Sequence, residues 1–353
     1  MQKDFHHTVT YVCARMAGFE HTEAEKIAYA AQYVDDATNS GTIKFTNGAM
    51  YHRISSAHST FDFKEHIDQY ENHLVWVPFH FLPGNGGKAS NENLDGSFIE
   101  KLVCFPGSFI ASDVLDACIK DADKKYSLQR LGITMHVFAD TFAHQGFAGK
   151  FHDINKINDL TLLNENQNFF DETKAKVANN FPMGHGPALE CPDKPYLEWE
   201  YINEYHNEPK RRNNTEIFMD AVRNLVGHLG NYLYQVENKS VLDEVESDYL
   251  KIEENFKTFR EQSGDARHKR WLESIANGDF SFGPQQLKYI SKGVGSWKYQ
   301  ALGQENDTDA DSDIFEFKND FLNSDWKLFH DALQAHRFDV IHDILPKYGI
   351  CVA

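Results

Sequence analysis

Apolar residues recur at helical spacing along most of the chain. Residues 5–19 and 23–38 read as helices, the second with Ala24, Ile27, Ala28, Ala31 and Asp35 on one face and Thr22 placed as N-cap. An acid on a buried face needs a partner, whereas Asp36 lies about 100° further round, where a residue is ordinarily solvated, and is kept as a weaker metal candidate with Asp4 and His7. The pattern is mixed over 41–63, and 66–73 is polar and compatible with helix. Residues 74–84 carry Pro78 and Pro83 and are expected to be extended or tightly turned, with His80 among apolar neighbours. The Gly-, Asn- and Ser-rich stretch 84–96 reads as a flexible flap; its GNGGKAS lacks the spacing of a phosphate-binding loop. Further helices are expected over 112–120, from an N-cap at Ser127 through 131–149, and near 169–179, followed by a proline-rich loop carrying His185 and Asp193.

Two later stripes, Ile217, Phe218, Ala221, Val222, Leu225 and Leu229, then Val241, Val245, Tyr249, Ile252, Phe256 and Phe259, predict long helices. A last helical region spans about 314–345. No repeat and no run of alternating strands is evident, so the chain is expected to be all-α: one multi-helix domain over 1–353 with long loops. Its core would cover about 4–235, with a helical extension over about 236–353.

Composition narrows the function. The 353 residues are 41% hydrophobic, enough for a substantial core. With 35 basic and 53 acidic residues the net charge is −18, which counts against long polyanions such as single-stranded nucleic acid and against anionic lipid surfaces. The five cysteines form no C-x-x-C pair, so neither a disulfide framework nor a thiolate zinc site is suggested. The N-terminal residues lack a basic, then apolar, signal pattern and no run has the length of a membrane span, so a soluble, cytoplasmic protein is expected, with export by a signal-independent route left open. Asp307, Asp309, Asp311 and Asp313 alternate as in a calcium loop but lack its Gly and Glu, and read as an acidic solvated loop.

The clearest chemical signal is LGITMHVFADTFAHQGFAG, which places His136, Asp140 and His144 four residues apart. Such residues advance by about 40° and rise by about 6 Å per step, forming one polar stripe on an apolar helix. Burying those groups unpaired costs about 1–3 kcal/mol each. Divalent metal satisfies them, because imidazole and carboxylate are the usual non-thiolate ligands of zinc and a carboxylate between imidazoles can bridge two ions. With 18 histidines, chance spacings also arise, so partners elsewhere are required. His6 or His7, Asp35, His80, and His185 with Asp193 supply them, enough for two or three ions.

This order of an N-terminal His, an Asp ending an early helix, a His after a loop, a His-x-x-x-Asp helix and later His and acid resembles the zinc-dependent phospholipase C and single-strand nuclease superfamily, over roughly residues 4–235. HVFADTFAH is its most specific part, and an HxxxDxxxHQGF helix marks a bacterial branch. The resemblance implies an all-α fold holding three zinc ions in a cleft. Carried over, Asp35, His80, His136 and Asp140 hold one ion, Asp140 bridges to a second near His6, and His144, His185 and Asp193 hold a third. The family's free N-terminal Trp ligand is absent, and Asp4 with His6 or His7 is the expected substitute. The family's third-site acid follows its His by one turn, where this chain has Leu189.

The expected function is a metal-dependent phosphodiester hydrolase acting on a small-molecule or lipid substrate, with zinc, or iron or manganese, activating water. Asp35 is the candidate catalytic residue, and Trp76, Phe79 and Phe81 are candidates for an apolar groove. Two alternatives remain. One is an iron-dependent enzyme, either a hydrolase built on the dipeptides His152-Asp153, His330-Asp331 or His342-Asp343, or an oxidase that binds iron at the metal-binding residues above. The other is a non-enzymatic helical protein with structural metals.

Overall fold

The structure, a computed structural model, describes residues 1–58, 69–92, 97–237, 246–303 and 313–351. The expected acidic loop at Asp307, Asp309 and Asp311, part of the polar 66–73 segment, the end of the 84–96 flap, and Val241 and Val245 lie outside the described residues.

A π-helical turn, Asp4–Val9, runs into α1 (Thr10–Ala17), followed by α2 (His21–Asp36). Glu20 caps α2 through a reciprocal box with Glu23, displacing the expected Thr22 cap. The next elements are the strands β1 (Gly41–Phe45) and β2 (Met50–Arg53), then the helices α3 (Gln69–Phe79), α4 (Phe98–Lys101), α5 (Phe109–Lys120) and α6 (Ser127–Ala143). Residues 74–79, expected to be extended, are helical: Pro78 sits in the last turn of α3, and the chain leaves the helix directly after it. Ser127 opens α6 as its first residue and does not cap it.

Strand β3 (Ile157–Leu162), α7 (Glu172–Asn180), β4 (Glu198–Asn203) and β5 (Glu208–Asn213) lead to α8 (Asn214–Glu237). The remainder contains α9 (Glu246–Thr258), α10 (Gly264–Asn277), α11 (Trp297–Leu302), β6 (Ile314–Phe315) and α12 (Asp325–Phe338).

The all-α expectation is therefore corrected. The protein is a helix-rich α/β structure with two three-stranded sheets, one ordered β2-β1-β6 and one β3-β4-β5. These strands are short. β1 does alternate, burying Ile43 and Phe45, but only over five residues. β5 is EPKRRN, which buries only Arg212 and offers no apolar signal.

The helix α6 forms the axis: every residue from Gln129 to Ala143 is buried. Around it α1, α2, α5, α8, α9 and α10 share one large core, while sheet β2-β1-β6 and sheet β3-β4-β5 cover two smaller ones. Burying a large apolar side chain contributes about 1.5–3 kcal/mol, so this core can carry a polar stripe along α6. The C-terminal elements are built into the same body. Arg267 of α10 makes a 2.6 Å buried ion pair with Asp4, and His336 of α12 donates to the Pro78 carbonyl at 2.9 Å. Among the described residues no helix is long and apolar enough to cross a membrane.

Candidate metal centre

Gly132 sets the geometry of the centre. It lies one turn before His136, and a Cβ there would come within 2.3 Å of the Ile27 carbonyl oxygen and 2.7 Å of Ala30 Cβ. Only glycine lets α2 and α6 approach this closely. The crossing delivers Asp35, at the end of α2, to 3.9 Å from His136 Nε2.

The π-helical turn contributes His6, whose ring stacks on His136 with centroids 3.8 Å apart and whose Nε2 lies 3.2 Å from Asp140 Oδ1. His80 follows the end of α3, with Nδ1 3.4 Å from Asp140 Oδ2, 3.3 Å from His136 Nε2 and 3.8 Å from Asp35 Oδ1. His144 is the first residue beyond α6, and its ring nitrogen Nε2 lies 3.8 Å from Asp193 Oδ1. His185 Nε2 lies 3.7 Å from Asp193 Oδ2. Three groups result, each with ligand atoms within 4.8 Å of one another: His6, His136 and Asp140; Asp35, His80 and His136; and His144, His185 and Asp193.

Backbone carbonyls orient three of these rings. His80 Nε2 meets the Ser56 carbonyl at 2.8 Å, His144 Nδ1 the His80 carbonyl at 2.8 Å, and His185 Nδ1 the Leu189 carbonyl at 2.8 Å. A carbonyl can only accept, so in each neutral ring that nitrogen carries the proton and the other keeps a lone pair facing the carboxylates. This is the outer-shell arrangement that fixes histidine for metal ligation. Leu189 presents its carbonyl from a left-handed backbone (φ 51°, ψ −129°), a conformation costing about 1–3 kcal/mol that the surrounding contacts must hold in place. Phe81 wedges between Gly149 and Gly184 and stacks on His144 with centroids 4.5 Å apart.

Charge is concentrated here. The carboxylates of Asp35, Asp140 and Asp193 converge with the Met1 α-amine, which lies 2.7 Å from Asp140 Oδ1, 3.3 Å from Asp193 Oδ1 and 3.5 Å from His144 Nε2, and with His80, where burial opposes charge but Asp140 and Asp35 raise the pKa. Burial opposes charge on that amine, but Asp140 and Asp193 outweigh it and push its pKa up to about 11. Burial likewise disfavours charge on Asp140, yet His144, the amine, His136 and His6 hold its pKa well below the usual carboxylate range. The rings of His6, His136 and His144 are pushed down to about 4, chiefly by burial, and stay neutral as metal ligands must. Asp35 keeps 32% of its side chain exposed at the mouth, while burial of its carboxyl pushes it up to about 6.

The fit to divalent cations rests on unsatisfied donors and acceptors. Nδ1 of His6 and Nδ1 of His136 are buried without a hydrogen-bond partner, and His6 Nε2 and Asp193 Oδ1 have only the ion contacts to Asp140 and the Met1 amine. A cavity of about 260 Å³ opens on Asp35, His80, Asp140, His144, His185 and Asp193. Residues 1–344 match DUF6765, a family of unknown function. The chain belongs to this family. No curated protein and no solved structure matches it.

In this DUF6765 protein the eight principal residues expected from sequence, His6, Asp35, His80, His136, Asp140, His144, His185 and Asp193, come together. The three weaker candidates do not. Asp4 is committed to Arg267, His7 bonds His268 at 2.9 Å, and Asp36 accepts from the Tyr289 hydroxyl at 2.6 Å. Of the three aromatics expected along a groove, Trp76 and Phe81 line the cavity, whereas Phe79 is buried against His336. The acid beside His144 and His185 is Asp193. The Met1 amine was not foreseen, and neither were the Ser56 and Leu189 carbonyls, because backbone groups carry no residue-type signal.

Proposed function

We propose that this DUF6765 protein is a metal-dependent hydrolase of phosphoric esters, with a phosphodiester as substrate, as its resemblance to the phospholipase C and nuclease superfamily implies. The carrying observation is the convergence of three His/Asp groups, with carbonyl-oriented rings, on one open cavity. A structural metal site is closed by protein ligands, while a catalytic one keeps a side open. The openness here favours catalysis over a purely structural role. Among the described residues none of the three dipeptides enters a His/Asp group of this kind, and at the second of them His330 bonds the Ile54 carbonyl while Asp331 pairs with Lys327 and Tyr51.

His136 enters two of the groups, and one ring nitrogen serves one ion. The residues therefore provide for at least two ions: one around Asp35, His80, His136, Asp140 and His6, and one at His144, His185 and Asp193. An imidazole and carboxylate set without thiolate suits zinc, with iron or manganese as the other fits. Divalent ions held there would supply Lewis acidity toward a phosphoryl group and lower the pKa of bound water.

The chain's own residues do the rest. Asp140 sits between the groups and turns one oxygen to each side, Oδ1 toward His6 and the Met1 amine, Oδ2 toward His80 and His136. Asp35 lines this cavity and also an adjoining one of about 670 Å³, a position from which it can take a proton from an incoming water. Trp76 and Phe81 wall the cavity on its apolar side.

The test is hydrolysis of bis(p-nitrophenyl) phosphate by the purified protein, by the chelated protein and after zinc is restored. Activity that disappears on chelation, returns with zinc and falls sharply in Asp35→Asn is the expected result. A fully metallated protein inert toward phosphodiesters would remove the reading.

A further inference from the structure

A separate cavity, of about 400 Å³, lies against sheet β3-β4-β5 and shares no lining residue with the cavity of the metal groups. Its charge is opposite to that of the chain. In a protein of net charge −18, its wall carries Lys210, Arg211 and Arg212 against a single acid, Glu208. Strand register explains part of this clustering. Tyr201 pairs with Lys210 and Trp199 with Arg212 across β4 and β5, which puts each pair on one face of the sheet.

Arg212 is the anchor of the site. It is 5% exposed, its guanidinium lies over the Trp199 ring at 5.3 Å, and it donates to the carbonyls of Phe142, Ala143 and Gln145 at 3.2, 2.7 and 3.2 Å. The guanidinium also lies beside the Tyr201 hydroxyl, which lines the cavity and can donate its O–H to a bound oxyanion. The neighbouring pairs Lys210–Glu208 (2.6 Å) and Arg211–Glu198 (3.5 Å) are solvent-accessible. Exposed pairs are worth about 0–1 kcal/mol, so both cations can turn to a ligand at little cost. Val103, Ile154, Tyr201 and Ile217 supply apolar wall beside these charges.

We propose that this cavity binds a small organic oxyanion, a phosphomonoester or carboxylate with an apolar body, at a site separate from the metal centre. The charged group lies against Arg212, Lys210 and Arg211, and the body against the apolar wall. The three carbonyls that Arg212 holds flank His144 in sequence. Occupancy would therefore bear on the end of α6 that carries a metal ligand.

The test is isothermal titration of the full chain with phenyl phosphate, with benzoate and with inorganic phosphate. Lys210→Ala/Arg211→Ala removes the two accessible cations without disturbing buried Arg212, and Asp140→Asn disables the metal centre. One saturable phenyl phosphate or benzoate site is expected in Asp140→Asn, where the metals cannot take up the anion, and the wild type should show the same site; adding Lys210→Ala/Arg211→Ala to Asp140→Asn should weaken it at least about tenfold. Which of the two binds tighter identifies the anionic group, and inorganic phosphate should bind more weakly than phenyl phosphate because it has no apolar body. Absence of saturable binding overturns the proposal. So does binding that survives the double substitution, or that is lost in Asp140→Asn, which would place the anion at the metals.

Discussion

Replacing Gly132 by alanine tests the helix crossing on which the metal centre rests. The added Cβ would lie 2.3 Å from the Ile27 carbonyl oxygen, 2.7 Å from Ala30 Cβ and 3.1 Å from the Ala31 nitrogen. Two of those atoms are backbone of α2, so no side chain can swing aside. Ordinary contact begins near 3.4 Å, and reaching it requires α2 to retreat by about 1 Å in a close-packed interior. Overpacking of this kind costs about 1–3 kcal/mol, and alanine returns about 0.5–1 kcal/mol of helix preference. A net loss of about 0–2.5 kcal/mol follows, centred near 1 kcal/mol. The displacement falls on Asp35 and His136, already 3.9 Å apart. The group of His144, His185 and Asp193 contains no residue of α2 and should keep its ion. Urea titration of Gly132→Ala, with metal quantified per chain, should show a lowered midpoint and loss of one equivalent. A variant as stable as the wild type with full metal content would refute the reasoning that this contact places Asp35.

Asp4→Asn should cost about 3–5 kcal/mol, because it leaves Arg267 buried without its charge partner; a change in urea-derived stability below about 1 kcal/mol would mean the pair behaves as a surface bridge. His185→Ala should lower metal content by one equivalent and leave the remainder, as read by elemental analysis; loss of all metal would contradict two separable sites. His330 is buried, donates to the Ile54 carbonyl, and is pushed from its ordinary 6.5 down to about 3 by burial first and Arg53 second. The unfolded chain therefore takes up this proton first, so stability falls as pH drops from 6.5 toward about 3, by about 1.4 kcal/mol per unit for this group. His330→Phe should flatten that slope in denaturation midpoints measured across the range and keep hydrolysis; an unchanged slope would show that this residue does not carry the effect.

The His/Asp stripe was legible because a spacing of four residues on a helix brings His136, Asp140 and His144 to one side whatever packs around them. Asp35 was legible for a related reason, as an acid inside an apolar face. Tertiary geometry decided the rest. The choice between adjacent His6 and His7 depends on the π-helical turn, which directs His6 to α6 and His7 to His268 of α10. The sheets escaped because β5 is mostly charged and has no apolar alternation, and β1 is too short for its alternation to stand out. Residues 74–79 were misjudged because Pro78, read as a breaker, occupies a final helical turn that it does not disrupt. The helical extension expected after residue 236 supports the centre, since Arg267, His268 and Tyr289 hold the three residues, Asp4, His7 and Asp36, that sequence alone placed near the metals.

Metal content of the purified, unchelated protein, measured per chain beside Asp140→Asn, tests the central claim most directly. Asp140 joins the His6 group to His80 and His136, so the account predicts at least two equivalents of a divalent metal, zinc foremost, in the wild type. Asp140→Asn should lose metal while keeping its helical circular dichroism. A wild-type protein without bound metal, or an Asp140→Asn protein with its full complement, would contradict the account.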